Sequence, residues 1–193
     1  MDTDTQKLNE TTWHKIVIEL GNESDRGAVV IGAARLDELL FQLLAAFLQP
    51  STTDRDALLA TDRPLGSFSA RIHACYRLGL IDAEFANALH SVRRIRNEFA
   101  HETFQSSLNE PRHRDRINQL VSPFRSSESF TSLRPMLSEW WPKRDTLTLD
   151  FFTVMAMAMA QLQWTSHYIP RVRVITPRQL QAVTFERAAT AAP

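Results

Sequence analysis

An all-α helical bundle is the fold class this sequence predicts, on three observations. Glycine is scarce, 5 in 193 residues, a poor supply for the tight turns of an all-β fold or for glycine-rich phosphate loops. Prolines leave long gaps: none lies before Pro50, none between Pro64 and Pro111, and none between Pro142 and Pro170. Proline breaks helix interiors, so each gap is room for a long helix. Within the gaps, apolar residues recur at three- and four-residue spacing, the period of a helix with one buried face. The length fits one domain with extensions and suffices to bury a real core, and four or five helices are expected.

Taken in order, residues 1–22 read as an N-terminal segment and 23–121 as the bundle. Ser24 is an N-cap with Asp25 in the favourable first turn, opening a helix to about Leu48. Its apolar residues Val29, Leu36, Leu40, Leu43, Leu44 and Phe47 wrap round much of the helix, as in the central member of a bundle. Ser51 to Ala60 is expected to be a short helix, followed by a turn at Asp62-Arg63-Pro64-Leu65-Gly66. Ser67 to Leu78 presents Phe68, Ile72, Cys75 and Tyr76 together, and Gly79 serves as its C-terminal cap. Asp82 caps a further helix whose stripe of Phe85, Leu89, Val92, Ile95 and Phe99 extends to about Phe104. Pro111 to Val121 carries a weaker helical pattern. The serines, prolines and Trp140-Trp141 pair of residues 122–146 predict a long irregular, partner-facing connection. Residues 147–170 form a C-terminal helix packing on the bundle, where the Met155 to Ala160 alternation of Met and Ala suits either close core packing or an adaptable interface. From Arg171, residues 171–193 read as a loosely held tail.

Composition narrows the function classes. With 44% hydrophobic and 23% charged residues the chain reads as an ordinary globular protein. Lys plus Arg and Asp plus Glu are 22 each, so no global field draws the molecule to nucleic acid or membrane, and such binding has to be local. The single Cys75 excludes an intramolecular disulfide and suits a reducing compartment. Met1 to Glu10 lacks a basic start and an apolar stretch, so a cytoplasmic location is expected. Val29 to Leu48 is interrupted by Arg35, Asp37, Glu38 and Gln42, and Phe151 to Ala160 is too short for about 30 Å of hydrocarbon. Both are read as buried core helices, with no membrane span.

The chemistry concentrates in Arg93-Arg94-Ile95-Arg96-Asn97-Glu98-Phe99-Ala100-His101. At about 100° per residue, Arg93, Asn97 and His101 line one edge of the helix, and Arg96 lies roughly 140° from His101. Converging Arg96 on His101 therefore requires a fraying turn near Ala100 or a second copy of the helix across a two-fold axis. A histidine titrating near neutrality can act as general acid or base, and an arginine can stabilise the pentavalent phosphate formed when a ribose 2′-hydroxyl attacks its neighbour, with no metal. The plainer alternative is a solvated arginine face, with Asn97 and His101 bonded to neighbouring helices. Asp25, Arg26, Arg35 and Asp37 form a second charged set, read either as ion pairs holding helices in register or as walls of the same polar cleft. The six histidines lack metal-site spacing, Gly27 and Gly32 lack the Lys and Ser/Thr of a P-loop, and no metal or cofactor is expected. No basic recognition helix reads DNA.

The ordered series Glu23-Ser24-Asp25-Arg26-Gly27-Ala28, Gly32-Ala33-Ala34-Arg35-Leu36-Asp37-Glu38-Leu39-Leu40, Pro64-Leu65-Gly66-Ser67-Phe68-Ser69-Ala70-Arg71-Ile72, Leu78-Gly79-Leu80-Ile81 and Arg96-Asn97-Glu98-Phe99-Ala100-His101 resembles the mannitol operon repressor family. That family is a HEPN-like helical group, and the resemblance covers about residues 23 to 104. The last segment is similar to the R-x4-6-H motif of HEPN proteins, many of which dimerise and cleave RNA without metal. The resemblance implies a HEPN-like bundle with a C-terminal helical extension and a regulator of transcription working through protein contacts. Its alternative implication is a metal-independent endoribonuclease, a toxin or defence effector, in which Arg96 and His101 match the catalytic pair and Asn97 the polar position beside the arginine. Arg93 and Arg94 would then add phosphate affinity. A homodimer, a protein partner or antitoxin, and RNA are the partners expected on these readings.

Overall fold

A computed structural model of the protein describes residues 14–101 and 107–174. Every regular element among them is helical. Helix α1 covers residues 14–22, followed by α2 (Asp25–Phe47), α3 (Phe68–Arg77), α4 (Ala83–His101), α5 (Pro111–Val121), a 3₁₀ turn (Ser122–Phe124), α6 (Glu128–Trp140) and α7 (Thr146–Tyr168).

The caps lie where the sequence places them. The Ser24 hydroxyl accepts from the Gly27 N–H at 3.1 Å, the Ser67 hydroxyl from Ala70 at 3.2 Å, and the Asp82 carboxylate from Phe85 at 2.8 Å. Gly79 ends α3 with φ of 71°. Its N–H reaches the Tyr76 carbonyl at 3.0 Å and that of Leu80 reaches Cys75 at 2.9 Å. This pair of reverse bonds is the Schellman closure, which needs a left-handed residue that glycine supplies without strain.

Two long apolar helices form the centre. α2 makes its most extensive packing with α7, and both are buried around most of their circumference, α2 through residues such as Leu36, Leu40 and Leu43, α7 through Phe151, Met155 and Leu162. They run in the same direction. Arg144, just before α7, binds Asp25 at the start of α2, the Gly32 backbone lies against Met155, and beyond α7 the Val172 N–H reaches Phe47 at the end of α2. Of the Met and Ala run, Met155, Ala156, Ala158 and Met159 are thus buried in the core, whereas Met157 is half-buried and Ala160 exposed. Around this pair, α3 and α4 pack on α2 and on each other, α5 on α4 and α7, and α6 on α7. Among the described residues no helix is long and apolar enough to cross a membrane.

Several expectations are corrected. Residues 122–146 are not an irregular connection, because the 3₁₀ turn and α6 occupy most of them. The serines read there as loop include a cap, Ser127, whose hydroxyl accepts from Phe130 at 3.3 Å. Pro135 is tolerated inside α6 because it and Thr131, whose carbonyl it leaves without a helical donor, are exposed to water. The buried Asp150 carboxylate ties α6 to α7 through Arg134 at 2.7 Å and also holds Arg125 at 3.2 Å. Residues 14–22 are part of the core, with Val17 and Leu20 buried and Gly21 beneath Trp141, whose ring atoms would lie 1.9 Å from any Cβ there.

Conversely, residues 51–60 form bends and turns instead of a short helix. Ser51 bonds the backbone of Thr53, Thr53 bonds the Arg55 carbonyl, and Asp56 accepts from Leu58 and Leu59. Such side chains compete locally with helix formation. The described part of the expected tail, residues 171–174, is held to the end of α2, where Arg171 also donates to the Leu48 carbonyl at 2.9 Å. The end of the α4 pattern near Phe104 and the rest of the tail lie outside the described residues.

Candidate functional site

α4 runs unbroken to His101, with Ala86, Leu89, Val92, Ile95 and Phe99 buried against the bundle. That seating fixes its other faces. Arg93, Arg96 and Asn97 are half-buried, and Arg94, Ala100 and His101 are exposed. Arg96 donates through Nη1 to the side-chain Oδ1 of Asn97 at 3.1 Å, an interaction between neighbours that steers the guanidinium along α4. With no fraying at Ala100, the straight-helix angle of roughly 140° between Arg96 and His101 stands, and the pair does not converge within one chain.

The second charged set divides. Only Arg26 reaches the end of α4, where its Nη2 donates to the Ala100 carbonyl at 3.4 Å. There it meets the negative end of the helix dipole, beside His101. Asp25 turns instead to a structural hub. It accepts from Arg144 at 2.7 Å, from the Leu108 N–H at 2.9 Å and from the Ser107 hydroxyl at 3.0 Å. Arg144 also donates to the Gly21 carbonyl at 3.1 Å and to that of Glu23, so this one hub joins α1, α2 and the start of α7. Asp37 pairs with Arg71 of α3 at 2.8 Å. Arg35, half a helical circumference from Arg26, keeps its Nε buried without a hydrogen-bond partner among the described residues. The start of α2 thus brings Arg26 to the last turn of α4, the turn that carries His101. Asp25, Arg35 and Asp37 stand apart from it.

Glu98 faces α5, where its carboxylate meets Arg116 and the Nδ1 of His113, the latter at 3.5 Å. It lies roughly 140° and 160° round α4 from Arg93 and Arg96, and no ion pair joins it to Arg94 among the described residues. His73 of α3 and His90 of α4 are two residues that spacing alone left scattered, and their rings lie 4.7 Å apart. Cys75 is fully buried, which pushes its thiol up to about 12 and keeps it protonated.

A second feature is a groove of about 940 Å³ between the α3–α4 turn, the start of α6 and the middle of α7. Phe85, Phe124, Met157 and Trp164 supply its apolar lining, and Asp82 and Glu84 bring carboxylates to it. Trp164 is 52% exposed and packs against Tyr168 with ring centroids 4.4 Å apart. Its volume lies within the range of ligand clefts, and its exposed apolar anchors can also take a partner's side chains.

These features give an all-helical protein two distinct surfaces, one cationic along α4 and one apolar beside α7. No family model matches the chain, and no curated protein matches it. Among solved structures, the chain is similar to one described as the X-ray structure of the MtlR–HPr complex from Escherichia coli. The TM-score is 0.53 at 19% identity, over 80% of this chain and 98% of that one. At this identity the likeness is one of fold, and the fold is MtlR-like.

Proposed function

We propose that the protein is a regulator that works by docking a small protein partner, as its structural neighbour docks HPr. The observation that carries this reading is the shared fold across nearly the whole of a chain whose structure is a protein complex. The groove beside α7 supports it, offering an exposed Trp164 and apolar walls next to the carboxylates of Asp82 and Glu84. Exposed aromatics that fill a partner's pocket are the residues on which interfaces depend most. Kinship with mannitol operon repressors, and through them with HEPN proteins, belongs to the same reading.

Titration calorimetry with HPr from the same cell is the test. Wild type is expected to bind, and Trp164→Ala to weaken binding at least tenfold, about 1.4 kcal/mol. Unchanged affinity in that variant removes the groove from the interface, and no binding by wild type removes the reading.

The nuclease alternative is tested on structured RNA in EDTA. Arg96 and His101 do not converge in one chain, so cleavage would depend on a two-fold pairing through α4 that sets Arg96 against the partner's His101. Under the regulatory reading RNA stays intact. Cleavage by wild type, lost in both Arg96→Ala and His101→Ala, reverses the conclusion.

A further inference from the structure

We propose that His73, His90, Arg93 and Arg94 form a binding site for a phosphate monoester dianion, with an affinity that rises as pH falls. The site is separate from the apolar groove and from the Arg96 and His101 end of α4.

The geometry comes from the packing of α3 on α4. It sets the exposed His73 ring 4.7 Å from the half-buried His90 ring, tilted by 49°. Arg93 and Arg94 follow His90 by three and four residues, the spacings at which helical side chains are neighbours. Neither arginine is satisfied by a carboxylate among the described residues. The Nη2 of Arg94 reaches the Ser91 hydroxyl at a long 3.4 Å. The Nε of Arg93 is buried and has no hydrogen-bond partner there, although buried donors ordinarily find an acceptor.

The charges around His90 are of one sign. Burial first, and then the charges of His73, Arg93 and Arg94, hold its pKa below the usual histidine value. Among the acids of α2 and α4, Glu38 accepts from Gln42 at 2.9 Å, and two more are engaged elsewhere. Asp37 of α2 is held by Arg71 of α3, and Glu98 faces Arg116 and His113 of α5. A patch of like charges without counter-charge repels itself, and a bound dianion removes that repulsion. Two guanidinium forks and two imidazolium rings offer enough N–H donors for the oxygens of a tetrahedral phosphoryl group. The cluster is compact and the chain carries formal net charge +0, which favours a single phosphoryl group over a nucleic-acid track. The sign of the pH effect follows. Protonation adds charge and donors, so binding strengthens as pH falls through the histidine range.

The experiment follows the two imidazoles by NMR while inorganic sulfate is added to the full chain in low-chloride buffer. Sulfate keeps its charge from about pH 5.5 to about pH 7.5, so pH acts only on the protein. Affinity is expected to fall at least fivefold across that range. At the lower pH, Arg93→Gln is expected to weaken binding about tenfold, because the charge-assisted bonds it makes are among the stronger kind. His73→Gln, at an exposed position that leaves the fold untouched, is expected to flatten the pH dependence, and His101→Gln to change nothing. Inorganic phosphate and a phosphate monoester are expected to compete with sulfate. An RNA oligonucleotide without terminal phosphates is expected to compete poorly, and its binding more tightly than the monoester overturns the assignment. So does failure of millimolar sulfate to shift either ring in the folded protein, or an effect of His101→Gln equal to that of Arg93→Gln.

Discussion

Truncating Phe99 to alanine is expected to remove about 4 kcal/mol of stability, within the usual range for a fully buried phenylalanine. Phe99 is 0% exposed. It belongs to the core stripe of α4, and its ring lies 4.5 Å from that of the equally buried His113 on α5. The substitution therefore empties a space between two helices that cannot simply close, because the Glu98 contacts with Arg116 and His113 hold α5 in place alongside. Urea unfolding should show the midpoint falling with an unchanged slope. Phe99→Leu keeps most of the volume and is expected to cost less than about 1.5 kcal/mol. A loss of similar small size in Phe99→Ala would mean that α5 does not seat on α4. Because Phe99 lies between Arg96 and His101, the variant also reads how far the cationic end of α4 depends on its buried side.

Arg71→Ala is expected to cost about 3 kcal/mol, the lower end for breaking a buried ion pair, since Asp37 keeps some contact with water. The loss goes beyond one pair. Arg71 donates to the Asp37 carboxylate at 2.8 Å, to the Leu65 carbonyl at 3.0 Å and to the Leu59 carbonyl at 3.2 Å, and it lies over the Phe41 ring at 5.3 Å. The two carbonyls belong to the connection between α2 and α3, so this one guanidinium pins a loop without regular structure. Amide exchange across residues 49–66 should accelerate in the variant well beyond its global destabilisation. Arg71→Lys keeps the charge but loses the planar fork, and is expected to recover less than half of the stability. Unaltered exchange in that segment would show the loop to be held by Leu59 burial alone.

What was legible in the sequence follows from where the information lies. The helices α2, α3, α4 and α7 have local signatures, because Ser24, Ser67 and Asp82 cap the first three of them through bonds spanning only three residues. α6 was hidden because its serines and Pro135 read as loop, whereas its seat depends on Asp150 of another helix. Residues 14–22 carry too short a pattern to stand out, and are fixed by Trp141 over Gly21. The same divide runs through the site. The Arg96 and His101 angle is a property of any straight helix and was readable. The partners of Asp25 and Asp37 lie 119 and 34 residues away, and a carboxylate's neighbours at such distances are set by tertiary packing. The His73 and His90 pairing likewise exists only once α3 lies on α4.

The parallel pairing of α2 with α7 has a bearing on how the chain is made. The two central helices are separated by roughly 100 residues, so the apolar circumference of α2 has no matching cover until nearly the whole described chain has left the ribosome. During synthesis α2 has only its earlier-made neighbours, and its widest apolar contact forms last, at a high cost in loop closure. Nascent chains stalled before α7 should accordingly be collapsed, sticky intermediates that call on chaperones, and completion of α7 should be the step that commits the protein to its native state.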